Sequence, residues 1–394
     1  MYKHRLKEIA EFNVNSLTGK FNFESIAYLD TGNLTNGKVS EYQYFNLKTD
    51  SIPSRARRLV KNNSILYSTV RPNQRHFGII KTDNVPDNVV VSTGFAVIDV
   101  NEAIADPNYV YYFLQQQEIV ATLSAVAEQS VSAYPSIKPS DIGNLEIALP
   151  DLVTQKKIAR ILQNFDEKIS VNEKINDNLK KQVRAVYYER FEKIDFKNRP
   201  FNWQLKKLGD IAVISTKSLN PVKESEALLE HYSIPAFDET EFPVFEKASS
   251  IKSNKYLVDK FCLLISKLNP TIKRIWRPYC LSNKAVCSTE FIVFKAKNKD
   301  LTDFLYSVID SKSFFDFMCS HVTGSTGSRQ RTTPTETLGF EFLFPSSEEI
   351  QNFQELVAPM YKQMKNNAIE NAKLKQIRDN LLPKLFAGET NIPF

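Results

Sequence analysis

The chain has 394 residues, 42% of them hydrophobic and 24% charged, and a formal net charge of +6. This is the composition of a soluble globular protein of two or three domains, each half long enough to bury a core without disulfides or metals. The N-terminal MYKHRLKEIAEFN lacks the apolar stretch of a signal peptide and no run approaches the length of a membrane span, so a cytoplasmic protein with no membrane partner is expected.

In chain order, the first landmark is Leu6-Lys7-Glu8-Ile9-Ala10. Residues 51–82 hold no Asp or Glu but carry Arg55, Arg57, Arg58, Lys61, Arg71, Arg75 and Lys81. Runs rich in β-branched and aromatic residues predict strands over 64–70 and 89–98, and 109–123 reads as a helix. The loop 127–140 leads to the strand LEIALP, ending at Pro150, and then to a helix with no Gly or Pro until Pro200. Within it Ile158, Phe165, Asn172, Leu179 and Val186 recur every seven residues, and Ile161, Leu162, Ile169, Ile175 and Val183 widen the apolar stripe. About forty residues at 1.5 Å each make a rod on the order of 60 Å.

The same order is then written again. Leu208-Gly209-Asp210-Ile211-Ala212 echoes the opening landmark, Pro270 matches Pro72, Ser288-Thr289-Glu290-Phe291 matches Ser92-Thr93-Gly94-Phe95, and Pro334 matches Pro139. From Tyr111 and Tyr306 onward the offset is a constant 195, through the strand FEFLFP ending at Pro345. Residues 260–289 are again free of acids and carry Lys260, Lys267, Lys273, Arg274, Arg277 and Lys284. Strands are expected over 261–268 and 288–296 and a helix over 301–318; the loop 322–335 is Gly/Ser-rich and contains Arg329, Gln330 and Arg331. Ser346 and Glu349 have capping-box spacing for a second long helix, whose heptad positions are Phe353, Met360, Asn367, Leu374 and Leu381. Pro359 should kink or break its early turns, and Pro383 and Gly388 should stop it.

The fold class expected is therefore α+β: two similar domains plus two long antiparallel helices, a pseudo-two-fold internal repeat. The segments are 1–150 for the first domain, 151–198 for the first long helix, 199–345 for the second domain, and 346–394 for the second helix and tail. The two helices should bury their stripes on each other, with Asn172 and Asn367 close together and fixing the register. The competing reading has both asparagines facing solvent.

A basic, acid-free stretch at the same place in both copies points to double-stranded DNA, because cations gain by displacing counterions from phosphate. Asn73, Gln74 and Arg75, then Lys273 and Arg274, follow the matched prolines, and Arg71 stands just before Pro72; with Arg329 and Arg331 they are the candidate DNA contacts, of residue types able to read base edges. The plainer alternative is a solvated basic face. No GxxxxGK loop and no GxGxxG fingerprint are present, and His4, His76, His231 and His321 show no metal-ligand spacing. Cys262, Cys280, Cys287 and Cys319 contain no CxxC pair and read as free thiols. Asp141 and Glu146, matched by Glu336 and Glu341, read as solvated acids. No catalytic residue, metal ligand or cofactor is expected, which favours a binding protein over a self-contained methyltransferase or nuclease, or a purely structural coiled coil.

The segment LEIALPDLVTQKKIARILQNFDEKI resembles the central conserved region of type I restriction–modification specificity subunits, through Leu149, Pro150, Gln155, Ile158, Ala159, Leu162, Asp166 and Ile169. Ile377 to Glu389 is similar to the family's C-terminal ending, and NWQLKKLGDIAVI (202–214) to the usual start of a recognition domain. Two departures stand out: Ile350 and Tyr361 replace the Gln and Asp in the second helix, and the first copy lacks the Trp-x-x-x-x-Leu-Gly start. The resemblance implies two target-recognition domains reading a bipartite, asymmetric DNA target. It implies two methyltransferase subunits as partners, and restriction/translocase subunits in the full complex. S-adenosylmethionine, ATP and magnesium would belong to those partners.

Overall fold

The computed structural model describes residues 2–17, 23–130, 134–224, 226–324 and 330–389. The chain forms two compact units, Met1–Lys168 with Leu374–Phe394, and Ile169–Lys373, so each takes part of both long helices.

Unit 1 begins with β1 (Tyr2–Arg5), which pairs antiparallel with β10 (Glu146–Leu149) and so ties the start of the domain to its last strand. Between them lie two four-stranded sheets. One is ordered β4 (Gln43–Asn46), β3 (Ser25–Leu29), β8 (Val89–Ser92), β5 (Ala56–Leu59); the other is β2 (Ala10–Phe12), β9 (Phe95–Val100), β6 (Ile65–Ser68), β7 (Phe77–Ile79). All pairings are antiparallel except β3 with β8. The stretch 89–98, expected as one strand, is two strands in different sheets, because Thr93-Gly94 turns the chain. Gly94 suits that corner, since a Cβ there would lie 2.8 Å from Thr31 Cγ2. In β9 alternate residues serve two cores, Ala96, Ile98 and Val100 on one side and Phe95 and Val97 on the other, as the period of a strand requires.

Helices α1 (Pro107–Gln115) and α2 (Gln117–Glu128) replace the single helix expected over 109–123. Gln116 takes an extended ψ of 138° and breaks the run, while the Asp106 carboxylate caps α1 by accepting from Tyr109 N–H at 3.0 Å. The long helix α3 (Leu152–Tyr187) follows and continues as a π-helical turn through Glu192. Asp151 caps it, accepting from Thr154 N–H at 3.0 Å, and these hydrogen bonds hold its carboxyl below the ordinary value.

Unit 2 follows the same plan. β11 (Gln204–Lys207) pairs with β21 (Glu341–Phe344). One sheet runs β12 (Ala212–Ile214), β20 (Phe291–Ala296), β17 (Cys262–Ser266), β18 (Ile275–Trp276); the other runs β13 (Ser218–Leu219), β16 (Lys255–Leu257), β19 (Ala285–Cys287), β14 (Leu228–Tyr232), β15 (Val244–Lys247). The single parallel pair, β14 with β19, occupies the place of β3 with β8. The helix expected over 301–318 is likewise broken, into α4 (Thr302–Ile309) and α5 (Lys312–Ser320), with Ser311 capping the second.

The last helix, α6 (Ser347–Ala387), opens with the capping box: Glu349 N–H donates to Ser346 Oγ (3.3 Å) and Ser346 N–H to Glu349 Oε2 (3.1 Å). Trp203 Nε1 adds a third bond to that carboxylate at 2.7 Å. α6 is not broken at Pro359 and, contrary to the sequence expectation, does not stop at Pro383; it stops at Gly388, as expected, where φ is 72°. Both prolines sit on the exposed side of the helix, where water can take the carbonyl each leaves without a donor. Among the described residues no helix is long and apolar enough to cross a membrane.

Candidate nucleic-acid interface

Within each unit two loops are stitched into one platform, and the stitching is the same in both. In unit 1 Arg71 N–H donates to the Pro135 carbonyl (2.9 Å), Ile137 N–H to Thr69 (2.8 Å) and Thr69 N–H to Gly94 (2.8 Å). In unit 2 Asn269 N–H donates to Gln330 (2.9 Å), Thr332 N–H to Lys267 (3.1 Å) and Lys267 N–H to Glu290 (2.9 Å). Ser68 and Ser266 each donate a hydroxyl to the carbonyl two residues on, both at 2.9 Å. Arg71 and Asn269 take the same left-handed conformation, φ 48° and 46°. That conformation costs a side-chain-bearing residue about 1 kcal/mol, so the surrounding bonds must hold it.

Arg75 and Lys273, each three residues past its matched proline, tether these loops. Arg75 Nη1 donates to the Gln115 carbonyl at 3.3 Å and Nη2 to the Gln117 amide oxygen. Lys273 Nζ donates to the Asp310 carbonyl and pairs with its carboxylate at 2.9 Å. Gln115 and Asp310 close α1 and α4, where carbonyls lack helical partners and the dipole is negative.

The loops differ in what they leave outward. In unit 1 Arg71 is exposed, with its guanidinium 5.3 Å from the Tyr134 ring centre, and Asn73 and Gln74 are exposed beside it. In unit 2 Arg274 is only 8% exposed and is clamped by Asp238, with Nε and Nη2 donating at 2.6 and 2.9 Å. Arg331 donates from Nε and Nη2 to Glu290 at 3.0 and 3.2 Å. Arg277 pairs with Asp303 (2.6 Å) and Lys284 with Glu224 (2.8 Å). The expectation of a bare positive face over 260–289 is corrected here: acids distant in sequence neutralise four of its six cations. In unit 1 Lys81 also turns inward, donating to Asn63 Oδ1 at 2.6 Å, and burial lowers its pKa. Arg329 lies outside the described residues.

Asn172 and Asn367 are 1% and 3% exposed. They do not bond to each other. Asn172 Nδ2 donates to Asn371 Oδ1 (2.9 Å) and Glu370 Oε2 (2.7 Å), while Asn367 Nδ2 donates to Asn176 Oδ1 (2.9 Å). Asn176 and Asn371 are themselves equivalent at the offset of 195, so the contact is reciprocal. Because 172 meets 371 and 176 meets 367, the helix stretches that unit 2 contributes run in opposite directions.

The two departures in the second helix have a spatial counterpart. Gln155 staples the first domain to α3, accepting from Asp106 N–H (2.9 Å) and donating to the Pro150 carbonyl (2.8 Å); Ile350 joins the unit 2 core instead. Tyr112 donates its hydroxyl to Asp166 at 2.7 Å, whereas the equivalent pair in unit 2 is Ser307 with Tyr361, at 3.0 Å. The large residue has changed sides across the same contact.

Of the acids read as solvated, Glu146, Glu336 and Glu341 are exposed. Asp141 caps a turn through Lys138 N–H (2.7 Å), and Glu146 and Glu341 each lie 3.8 Å from a strand lysine. Among the described residues no group of three or more His, Cys, Asp or Glu side chains is placed to hold a metal. Burial pushes Cys262 up to about 11 and Cys280 up to about 12, far from a reactive thiolate.

These features define a class: a duplicated α+β protein that presents paired loops from twin β-rich domains built onto shared long helices. Residues 2–181 match the family model for the type I restriction modification DNA specificity domain. Over most of its length the chain is similar to type I restriction enzyme specificity subunits, the non-catalytic DNA-recognition components of such systems. It is 22% identical to the HindI specificity subunit of Haemophilus influenzae, over 95% of this chain and 97% of that protein. It is 24% identical to the MjaIX specificity subunit of Methanocaldococcus jannaschii, over 91% and 86%. Among solved structures, the type I S subunit of M. genitalium matches with a TM-score of 0.53 and 15% identity, covering 100% of this chain and 96% of that one, a likeness of fold.

Sequence reasoning missed Tyr134, Asn176 and Asn371. Their signals were present: an aromatic in a polar loop, and asparagines four residues beyond the heptad asparagines at the same offset.

Proposed function

We propose that this chain directs methyltransferase and restriction subunits to a bipartite, asymmetric target in double-stranded DNA, with each unit taking one half-site. The observation that carries this reading is the loop platform built twice with the same hydrogen bonds. A scaffold kept while its outward side chains change is what two different half-sites require. The recognition domains are residues 1–150 and 199–345, joined by the helical segments 151–198 and 346–394. In unit 1 Arg71, Asn73 and Gln74 meet DNA and Arg75 holds the loop. In unit 2 Lys273, Arg274 and Arg331 shape the platform, and Arg329 meets phosphate. Asn172 and Asn367, through Asn371 and Asn176, set the helix register. The complex works in the cytoplasm, and the chemistry resides in its partners.

Mapping modified sites in a host carrying the full complex should return two short motifs at fixed separation. Exchanging residues 1–150 for those of another such subunit should change one motif and leave the other. A single continuous motif, or a change in both halves, would overturn the reading.

A further inference from the structure

In unit 2 the candidate contact cations among the described residues are occupied within the protein. Lys273 is tied to Asp310, Arg274 to Asp238 and Arg331 to Glu290. What the loop tip turns outward is Thr271 and Ile272, both exposed, with Ile272 51% exposed. Their equivalents are known from the backbone: Ile272 N–H donates to the Asn269 carbonyl at 2.9 Å, just as Gln74 N–H donates to the Arg71 carbonyl at 2.9 Å. Thr271 and Ile272 therefore stand where unit 1 carries Asn73 and Gln74. One tip ends in amides, the other in methyl groups, on the same scaffold.

The major groove offers one apolar feature, the C5 methyl of thymine; its other markers are donors and acceptors. An amide pair suits adenine, and a methyl-bearing pair suits thymine. We propose that the second loop reads sequence by methyl contact, Ile272 and Thr271 packing on the C5 methyl of a thymine in the unit 2 half-site. This rests on the DNA-reading role proposed above and names the base feature that one loop senses.

The test uses the full chain with its methyltransferase subunits and duplexes carrying the mapped target. The unit 2 half-site is the one that stays fixed when residues 1–150 are exchanged. Each of its thymines is replaced in turn by uracil, which lacks only the methyl group. At one position the wild-type complex should bind about fourfold more weakly, the worth of one buried methyl. With Ile272→Ala that difference should disappear. The side chain is exposed, so folding should be unaffected, which circular dichroism checks. The double variant Thr271→Asn with Ile272→Gln, which copies the unit 1 tip, should shift preference away from thymine at that position alone.

A wild-type complex that yields no bipartite motif would sink the DNA-reading role itself. With a bipartite motif in hand, three results would overturn the methyl contact alone: a unit 2 half-site without thymine, no response to uracil, or a uracil response that survives in Ile272→Ala.

Discussion

The loops at 71–75 and 269–274 share a backbone and differ in where their charges go. In unit 1 Arg71 faces outward over an exposed tyrosine, and Asn73 and Gln74 flank it. In unit 2 every candidate cation that the structure describes is bound by an acid brought in by the fold. The lesson is that charge along a chain is not charge on a surface. Residues 260–289 contain no acid, yet Asp238, Asp303, Asp310 and Glu224 reach them from elsewhere in unit 2.

Four experiments would break or sharpen that contrast. The largest effect is expected from Arg274→Ala. The variant removes a buried guanidinium with its two charge-assisted hydrogen bonds to Asp238 and the packing of its stem, and should destabilise the protein by about 3 kcal/mol, read as a lower urea midpoint. If Arg274 instead served DNA directly, the midpoint would hold and only binding would fall.

Next comes Asn172→Ala, which removes one buried and one part-buried hydrogen bond and should destabilise by about 2 kcal/mol. Because Asn172 and Asn371 share one bond, the double variant with Asn371→Ala should lose clearly less than the sum of the single changes; strict additivity would deny the pair a joint role.

Arg71→Ala should change stability by less than about 0.5 kcal/mol, as expected for an exposed site. Binding to the cognate duplex should fall by roughly fivefold and become less salt-dependent. An unchanged salt slope would remove Arg71 from the phosphate contacts.

The smallest effect is a pH response in unit 2. His231 occupies the strand position that Tyr28 holds in unit 1, and burial lowers its pKa below 6.5 despite the nearby Glu246. The unfolded chain therefore takes up that proton more readily than the native one, so stability is intact above pH 6.5 and declines as pH falls below it. Glu246 is held below 4.5, which adds a second loss as pH falls through and below that value. Trp203 and Trp276, the two tryptophans of the chain, both lie in unit 2, so their fluorescence in urea titrations isolates the effect. A urea midpoint that holds from pH 7 to pH 5.5 would contradict it.

Much of the fold was legible from residues alone. The offset of 195 aligned strands, helices and cap positions that the structure places in equivalent elements. Period-two and heptad patterns identified the faces, with exceptions such as Ile175, which is 40% exposed. Boundaries were less legible. Gln116 and Asp310–Ser311 break helices whose local pattern is continuous, and α6 passes through two prolines because they lie on its exposed side. The candidate site was half legible. Position after the matched prolines found the right loops, but which cations stay outward depends on ion pairs between residues some forty apart, such as Lys273 with Asp310. Local sequence carries no record of such distant partners.

The exchange of size across one contact has a practical consequence for engineering. Tyr112 fits against Asp166, and Ser307 against Tyr361. A recognition domain transplanted from the first position to the second without its stretch of helix would press two tyrosines together. The reverse graft would leave serine facing aspartate across a gap. Cassettes moved from one position to the other and cut at the strand–helix junction should therefore express poorly unless residue 166 or 361 travels with its domain, so the natural seam for such transfers lies inside the helices.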